Sequence, residues 1–213
     1  MGLFSRGKRT EATAEDTLTP VFTDPVTGRS RTGQIGYPIV PLLINEWALR
    51  DLDALPEDKR PIVLHLDSGL DVGYAFDTPE RFVYVNRDQL DDLGHTAQTL
   101  HEEATRWLRQ TAAERLEVGG NGRYRLELPG TEDLTASLIL TPDVWLDRVE
   151  LDGAPIVAVG HRIMLHVCGS NDTEGVDGLR GLAKALFETQ EAKPVSPELF
   201  VLGSEGEISR LDG

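Results

Sequence analysis

An α+β fold follows from three features of the chain: alternating strand-like runs at Leu70 to Phe76 and Phe82 to Val85, a long run with helical spacing from Thr96 to Leu116, and a mixed succession from Leu134 to Leu186. Strands and helices come in blocks, which predicts a single domain: a largely antiparallel sheet of roughly six to eight strands with two main amphipathic helices packed on it. With 213 residues, 39% of them hydrophobic, the chain can bury one substantial core.

Residues 1–20 are expected to be a disordered or loosely attached tail, since Thr10 to Thr19 is small, polar and acidic without periodicity. Residues 21–213 are expected to form the domain. Val21 to Thr23 reads as a short strand before a turn at Asp24, Pro25, Thr27 and Gly28. Pro38 and Pro41 give an extended entry to a first helix, Leu42 through Leu52. Ile62 to Leu66, Leu70 to Phe76 and Phe82 to Val85 read as an antiparallel meander, turned at Asp67-Ser68-Gly69 and Asp77-Thr78-Pro79. A turn-rich link leads to the helix Thr96 to Leu116, capped by Thr96 or Thr99, with Leu100, Ala104, Trp107, Leu108 and Ala112 on its buried side.

Gly119-Gly120-Asn121-Gly122 marks a hairpin between Leu116 to Val118 and Tyr124 to Leu128. Leu134 to Leu140 reads as a further strand, followed by a short helix opened by Pro142 near Trp145. Two more strands are expected at Ile156 to Val159 and Arg162 to Cys168, then a last helix Glu174 to Gln190 and a hairpin about Gly203 and Gly206. The spacing of Gly175, Gly178 and Gly181 suggests that the last helix lies close to another backbone. Each glycine weakens that helix by about 0.5 to 1 kcal/mol relative to alanine.

Thirty-six acidic against 21 basic side chains give a net charge of −15, which opposes binding through a phosphate backbone, so no nucleic acid partner is expected. The single cysteine, Cys168, fits a reducing compartment. No apolar run approaches the ~20 residues of a membrane span, and the start lacks the apolar core of a secretory signal, so a cytoplasmic protein is expected. Leu3 and Phe4 beside Arg6, Lys8 and Arg9 could at most provide a weak membrane tether.

Candidate chemistry is sparse. His166 and Cys168, with Arg162 and Met164, alternate onto one strand face, where a thiolate with a histidine base could act as nucleophile or a soft metal could find ligands. Core packing is the ordinary role of such residues. The opposite face of the Leu70 to Phe76 strand carries Asp71, Gly73, Ala75 and Asp77, a small-sided strip that would either accept a neighbouring element or line a ligand groove. His101-Glu102 lacks the second histidine of a zinc-protease helix, because Thr105 stands in its place, and GGNG lacks the lysine and following helix of a phosphate loop. Gly169-Ser170-Asn171 precedes a helix, but Asp172, Glu174 and Asp177 would repel an anion there. Asp67, Asp71 and Asp77 do not have the spacing of a calcium loop. No cofactor or metal is therefore expected.

The order LDVGYAFDTPERFVYVNRDQLDDLG, LHEEATRWL, LTASLILTPDVW and IVAVGHRIMLHV resembles a bacterial domain-of-unknown-function family typified by the YtpQ protein. The resemblance spans residues 38–187 and includes Asp77, Ser137, Trp145 and Arg162. It implies an α+β cytoplasmic domain and carries no activity with it. The functional expectation is a non-enzymatic, acidic binding or protein-interaction domain with Asp71, Gly73, Ala75, Asp77 and Arg162 as candidate ligand contacts. The alternative is an enzyme using His166 and Cys168 or carboxylates in a cleft.

Overall fold

The computed structural model describes residues 21–23, 30–32, 37–45, 48–50, 55–188, 193–204 and 206–212. The expected tail, the turn after Thr23 and the N-terminal tether lie outside them. The chain divides into two compact units, Met1–Gly36 and Tyr37–Gly213. In the first, β1 (Val21–Thr23) and β2 (Ser30–Thr32) pair antiparallel. The second is an α+β unit with two antiparallel sheets.

The four-stranded sheet is built on β5 (Asp71–Asp77), whose one edge pairs along its length with β3 (Ile39–Ile44), Ile39 opposite Phe76 and Ile44 opposite Asp71. Its other edge is shared end to end by β4 (Val63–His65) and β6 (Phe82–Tyr84). The expected meander is thus corrected: consecutive strands do pair, but β3 occupies one edge of β5 and sends β6 back to the edge that β4 uses. The expected helix Leu42 through Leu52 is corrected too, because Leu42, Leu43 and Ile44 belong to β3 and only residues 48–50 are described as helical. Ile39-Val40-Pro41-Leu42-Leu43-Ile44 is buried throughout, and an apolar run buried on both faces has no period that separates strand from helix. Pro41 is tolerated because β3 is an edge strand.

The link before the long helix holds a helix of its own, α1 (Arg87–Leu93). Asn86 Oδ1 accepts from Gln89 N–H at 2.9 Å while Gln89 Oε1 accepts from Asn86 N–H at 3.0 Å, a reciprocal cap, and Gly94 closes the helix at φ 67°. α2 (Ala97–Arg115) follows with Thr96 as its N-cap. Its Leu100, Ala104, Leu108 and Ala112 are buried, and it packs on β3 and β5.

The second sheet has the order β12-β11-β9-β10-β8-β7. It combines the hairpin β7 (Glu117–Asn121) and β8 (Arg123–Glu127) with β9 (Pro155–Ala158), β10 (Leu165–Gly169), β11 (Leu199–Leu202) and β12 (Ile208–Arg210). The helix α3 (Thr173–Phe187) packs on β9, β10 and β11, with Leu179 and Ala183 against Ile156, Ala158, Cys168 and Leu199. Each long helix therefore covers its own sheet, where one common sheet was expected.

The strand expected at Leu134 to Leu140 is instead a pair of 3-10 turns, Glu132–Leu134 and Ala136–Leu140. They contact β3, α2 and β10, with Leu134, Ala136, Leu138, Ile139 and Trp145 buried, so this segment fills the space between the two sheets. Trp145 Nε1 donates to the Leu138 carbonyl at 2.9 Å, which satisfies the indole inside the core.

The glycines of α3 do not do what their spacing suggested. A Cβ on Gly178 or Gly181 would meet nothing within 4 Å, whereas one on Gly160 would meet the Ala183 Cα at 2.9 Å and its carbonyl oxygen at 2.6 Å. The close approach is made by a loop glycine against the helix.

Candidate functional site

The hairpin β5–β6, the 130–134 loop, the 161–164 turn and Lys193 enclose a cleft of about 560 Å³. Thr78 makes the hairpin turn tight: its Oγ1 accepts from Arg81 N–H at 3.2 Å and donates to the Arg81 carbonyl at 2.6 Å. Four carboxylates line the cleft, from Asp77, Glu80, Glu132 and Asp133. Arg81 and Lys193 are its cations, and Lys193 Nζ already holds Asp133 at 2.5 Å. Burial and the nearby Asp133 carboxylate push the Asp77 pKa up from its ordinary value, whereas Gly130 N–H, donating to Glu132 at 2.9 Å, helps pull that carboxyl down. Ile163, 37% exposed, gives the cleft an apolar wall.

His161 ties this region together. Its Nδ1 lies 3.1 Å from the Ile163 amide nitrogen and its Nε2 3.1 Å from that of Lys193. A neutral imidazole accepts at one nitrogen and a protonated one at neither, so the ring serves one amide at a time. Burial lowers its pKa, which favours the neutral form that can accept.

Of the residues singled out in the sequence, Asp77 lines this cleft. Asp71 sits at the far end of β5, where its Oδ1 meets His65 Nδ1 at 2.5 Å across the β4–β5 pair. Gly73 and Ala75 are buried, and a Cβ on Gly73 would meet the Tyr84 ring at 3.0 Å, so the small-sided strip is small because an aromatic ring lies over it. The groove reading of that strip is corrected: it is closed at its centre.

Cys168 is wholly buried beneath α3, and burial raises its thiol pKa, with Asp172 adding to the rise. His166 is half-buried, its pKa lowered by burial and by Arg125. Neither lines the cleft at Asp77 or the cavity at His65. Arg162 and Met164 belong to the turn before β10 and not to the strand. Among the described residues, no group of three or more His, Cys, Asp or Glu side chains is placed to hold a metal ion. None of their helices is long and apolar enough to cross a membrane.

Asp133, Ile163 and Lys193 escaped the sequence reading. A local signal existed for the first: Pro129-Gly130 followed by Thr131-Glu132-Asp133 opens a helical turn with acidic residues at its start. For Lys193, no local pattern announces that residue 193 returns to residue 133.

These features define an α+β protein with an acidic, partly apolar cleft between a hairpin of one sheet and loops of the other half. No family model, curated protein or solved structure matches the chain.

Proposed function

We propose that the protein is a non-enzymatic binding domain whose cleft takes a short basic segment of a partner protein, with an apolar side chain of that segment against Ile163. The observation that carries this reading is the surplus of carboxylates around an exposed isoleucine: four acids face two cations, one of them already paired. Asp77 and Asp133 repel each other, and a cationic side chain set between them relieves that repulsion. Of the two forms of the enzyme alternative, the one through Cys168 and His166 needs a thiolate where burial holds the proton on sulfur; the one through carboxylates in a cleft would use the same Asp77, Glu80, Glu132 and Asp133.

The test is an amide-resolved NMR titration with a short lysine peptide carrying one central leucine, run beside its glutamate counterpart. Shifts should concentrate at Thr78 to Phe82, Gly130 to Leu134 and Ile163 with the lysine peptide alone, and binding should weaken as salt is raised. Asp77→Asn combined with Ile163→Ser should abolish them. Shifts elsewhere, or an equal response to the glutamate peptide, would remove the reading.

A further inference from the structure

Two wall residues of the acidic cleft, Ile163 and Lys193, meet at one imidazole. His161 pairs with Pro194 in an antiparallel bridge. Around that bridge Arg162 N–H donates to the Lys193 carbonyl at 3.0 Å, Val195 N–H to that of Gly160 at 3.2 Å and Ser196 N–H to that of Val159 at 3.2 Å. Pro194 has no N–H to add. The bond nearest the Lys193 end goes to a ring instead of a carbonyl, with the Lys193 amide nitrogen 3.1 Å from His161 Nε2. The second ring nitrogen, Nδ1, stands 3.1 Å from the amide nitrogen of Ile163, two residues on. Lys193 in turn holds the Asp133 carboxylate, which lines the same cleft.

The three forms of the ring act differently on this wall. With its proton on Nδ1 it accepts from Lys193 N–H, and with its proton on Nε2 it accepts from Ile163 N–H. A doubly protonated ring accepts from neither and sets an N–H against each amide donor. Protonation also places a third cation beside a cleft where Arg81 and Lys193 face four carboxylates. The charged groups that act on the ring are Asp133, which favours the proton, and Arg162 and Lys193, which oppose it together with burial. Asp133 is already engaged by Lys193, so the ring is neutral at ordinary pH and gains its charge in acid.

We propose that His161 is an acid-operated latch on the cleft: neutral, it holds a wall amide and leaves the surplus of carboxylates to a basic segment, and protonated, it releases the amides of Ile163 and Lys193 and with them the bound segment. This rests on the reading of the cleft as a site for a basic segment and adds its regulation. The sign follows from linkage. A cation in the cleft and a proton on His161 oppose each other, so each weakens the binding of the other by the same factor. Affinity therefore falls as pH drops below the ordinary histidine value of about 6.5. The carbonyl bonds of the bridge persist in acid, so the wall loosens from its Lys193 end and the sheet behind it stays intact.

The test follows the full chain by NMR as pH is lowered, free and with the lysine peptide that carries one central leucine. In the free wild type, the ring nitrogens of His161 and the amides of Ile163 and Lys193 should shift together, with one midpoint below about pH 6.5. Two variants remove the titration and keep one acceptor each: His161→Asn, whose amide oxygen can serve a backbone N–H two residues on, and His161→Gln, whose longer side chain reaches toward Lys193. Between about pH 7 and about pH 5, peptide affinity should fall roughly fivefold to tenfold more in the wild type than in either variant. Protonation of the cleft carboxylates is common to all three chains and cancels in that comparison. Wall amides that do not follow the ring, a ring that stays neutral until the chain unfolds, or variants whose affinity falls as steeply as that of the wild type would overturn the proposal. If one variant does not fold the other serves, and the titration of the free wild type needs neither. Absence of peptide binding at neutral pH would instead remove the reading of the cleft, and the latch would then stand or fall by the ring and amide midpoints alone.

Discussion

Cys168 has 0% exposure and packs against Leu179 and Ala183 of α3, so a thiol reagent reaches it only when the helix leaves the sheet. Its raised pKa lowers the thiolate fraction further. The expected rate with a disulfide reagent is that of opening of this half of the molecule, rising with urea; fast labelling in native buffer would contradict it. Tyr74 and His101 form the other buried polar contact of consequence. Tyr74 Oη lies 2.8 Å from His101 Nδ1, and burial raises the tyrosine pKa and lowers that of the histidine. Both groups are thereby kept neutral and share one hydrogen bond, whose direction follows the histidine tautomer. Because the folded-state pKa of His101 is lowered, the unfolded chain takes up its proton first as pH falls. The stability from this pair is thus fully present above the ordinary histidine value of about 6.5 and is lost as pH drops below it. His161 and His166 shift in the same direction and add to the slope. Urea midpoints of the wild type should therefore fall on acidification through that range, and those of His101→Gln should fall less; an identical fall would exclude the pair as a contributor. Tyr74→Phe, which strips His101 of its hydrogen-bond partner, should cost about 1 kcal/mol in the same assay.

Within α3, Gly178 and Gly181 face open space, so the helix carries their entropic cost with no packing return. Replacing either with alanine should stabilise the protein by about 0.5 to 1 kcal/mol, measured by urea unfolding. Gly160→Ala should do the reverse, because the new methyl would meet the Ala183 backbone. Loss of stability in the two helix variants would show that the helix is covered on that side. Elements whose pattern is local were legible in the sequence: α2 from its apolar spacing and threonine cap, the β7–β8 hairpin from its glycines, β5 from strict alternation. α1 was written in Asn86 and Gln89, a capping pair that a reading for apolar period passes over. β3 was misread because it is buried on every side, so the polar residues that would mark a period are missing. The 3-10 segment was misread because Thr135 and Ser137 alternate with Leu134, Ala136 and Leu138 as in a half-covered strand, although both are buried. Of the cleft, Asp77 could be named in advance, but its meeting with Asp133 and Lys193 is tertiary and leaves no trace in spacing.

At the scale of the Tyr37–Gly213 unit, two sheets with separate helices would be expected to unfold separately unless something makes them one. The Leu134-to-Trp145 segment is what joins them: it touches β3 and α2 on one side and β10 on the other. Its side chains are among the most buried in the chain, with Leu134, Ala136, Leu138, Ile139 and Trp145 all at 0% exposure. Neither sheet can lose this segment without uncovering apolar surface that the other also uses, at about 25 cal/mol for each Å² exposed. Pulsed hydrogen exchange across a urea series should accordingly give coincident midpoints for Ala97–Arg115 and Thr173–Phe187, the helices of the two halves. Trp145→Ala opens a cavity in the shared layer and removes one donor from the Leu138 carbonyl, which Thr141 N–H still serves, so it should cost about 3 to 5 kcal/mol and lower both midpoints together. If only one helix lost protection earlier in that variant, the 3-10 segment would belong to one half alone, and the cleft between the β5–β6 hairpin and the 130–134 loop would join two bodies that open independently.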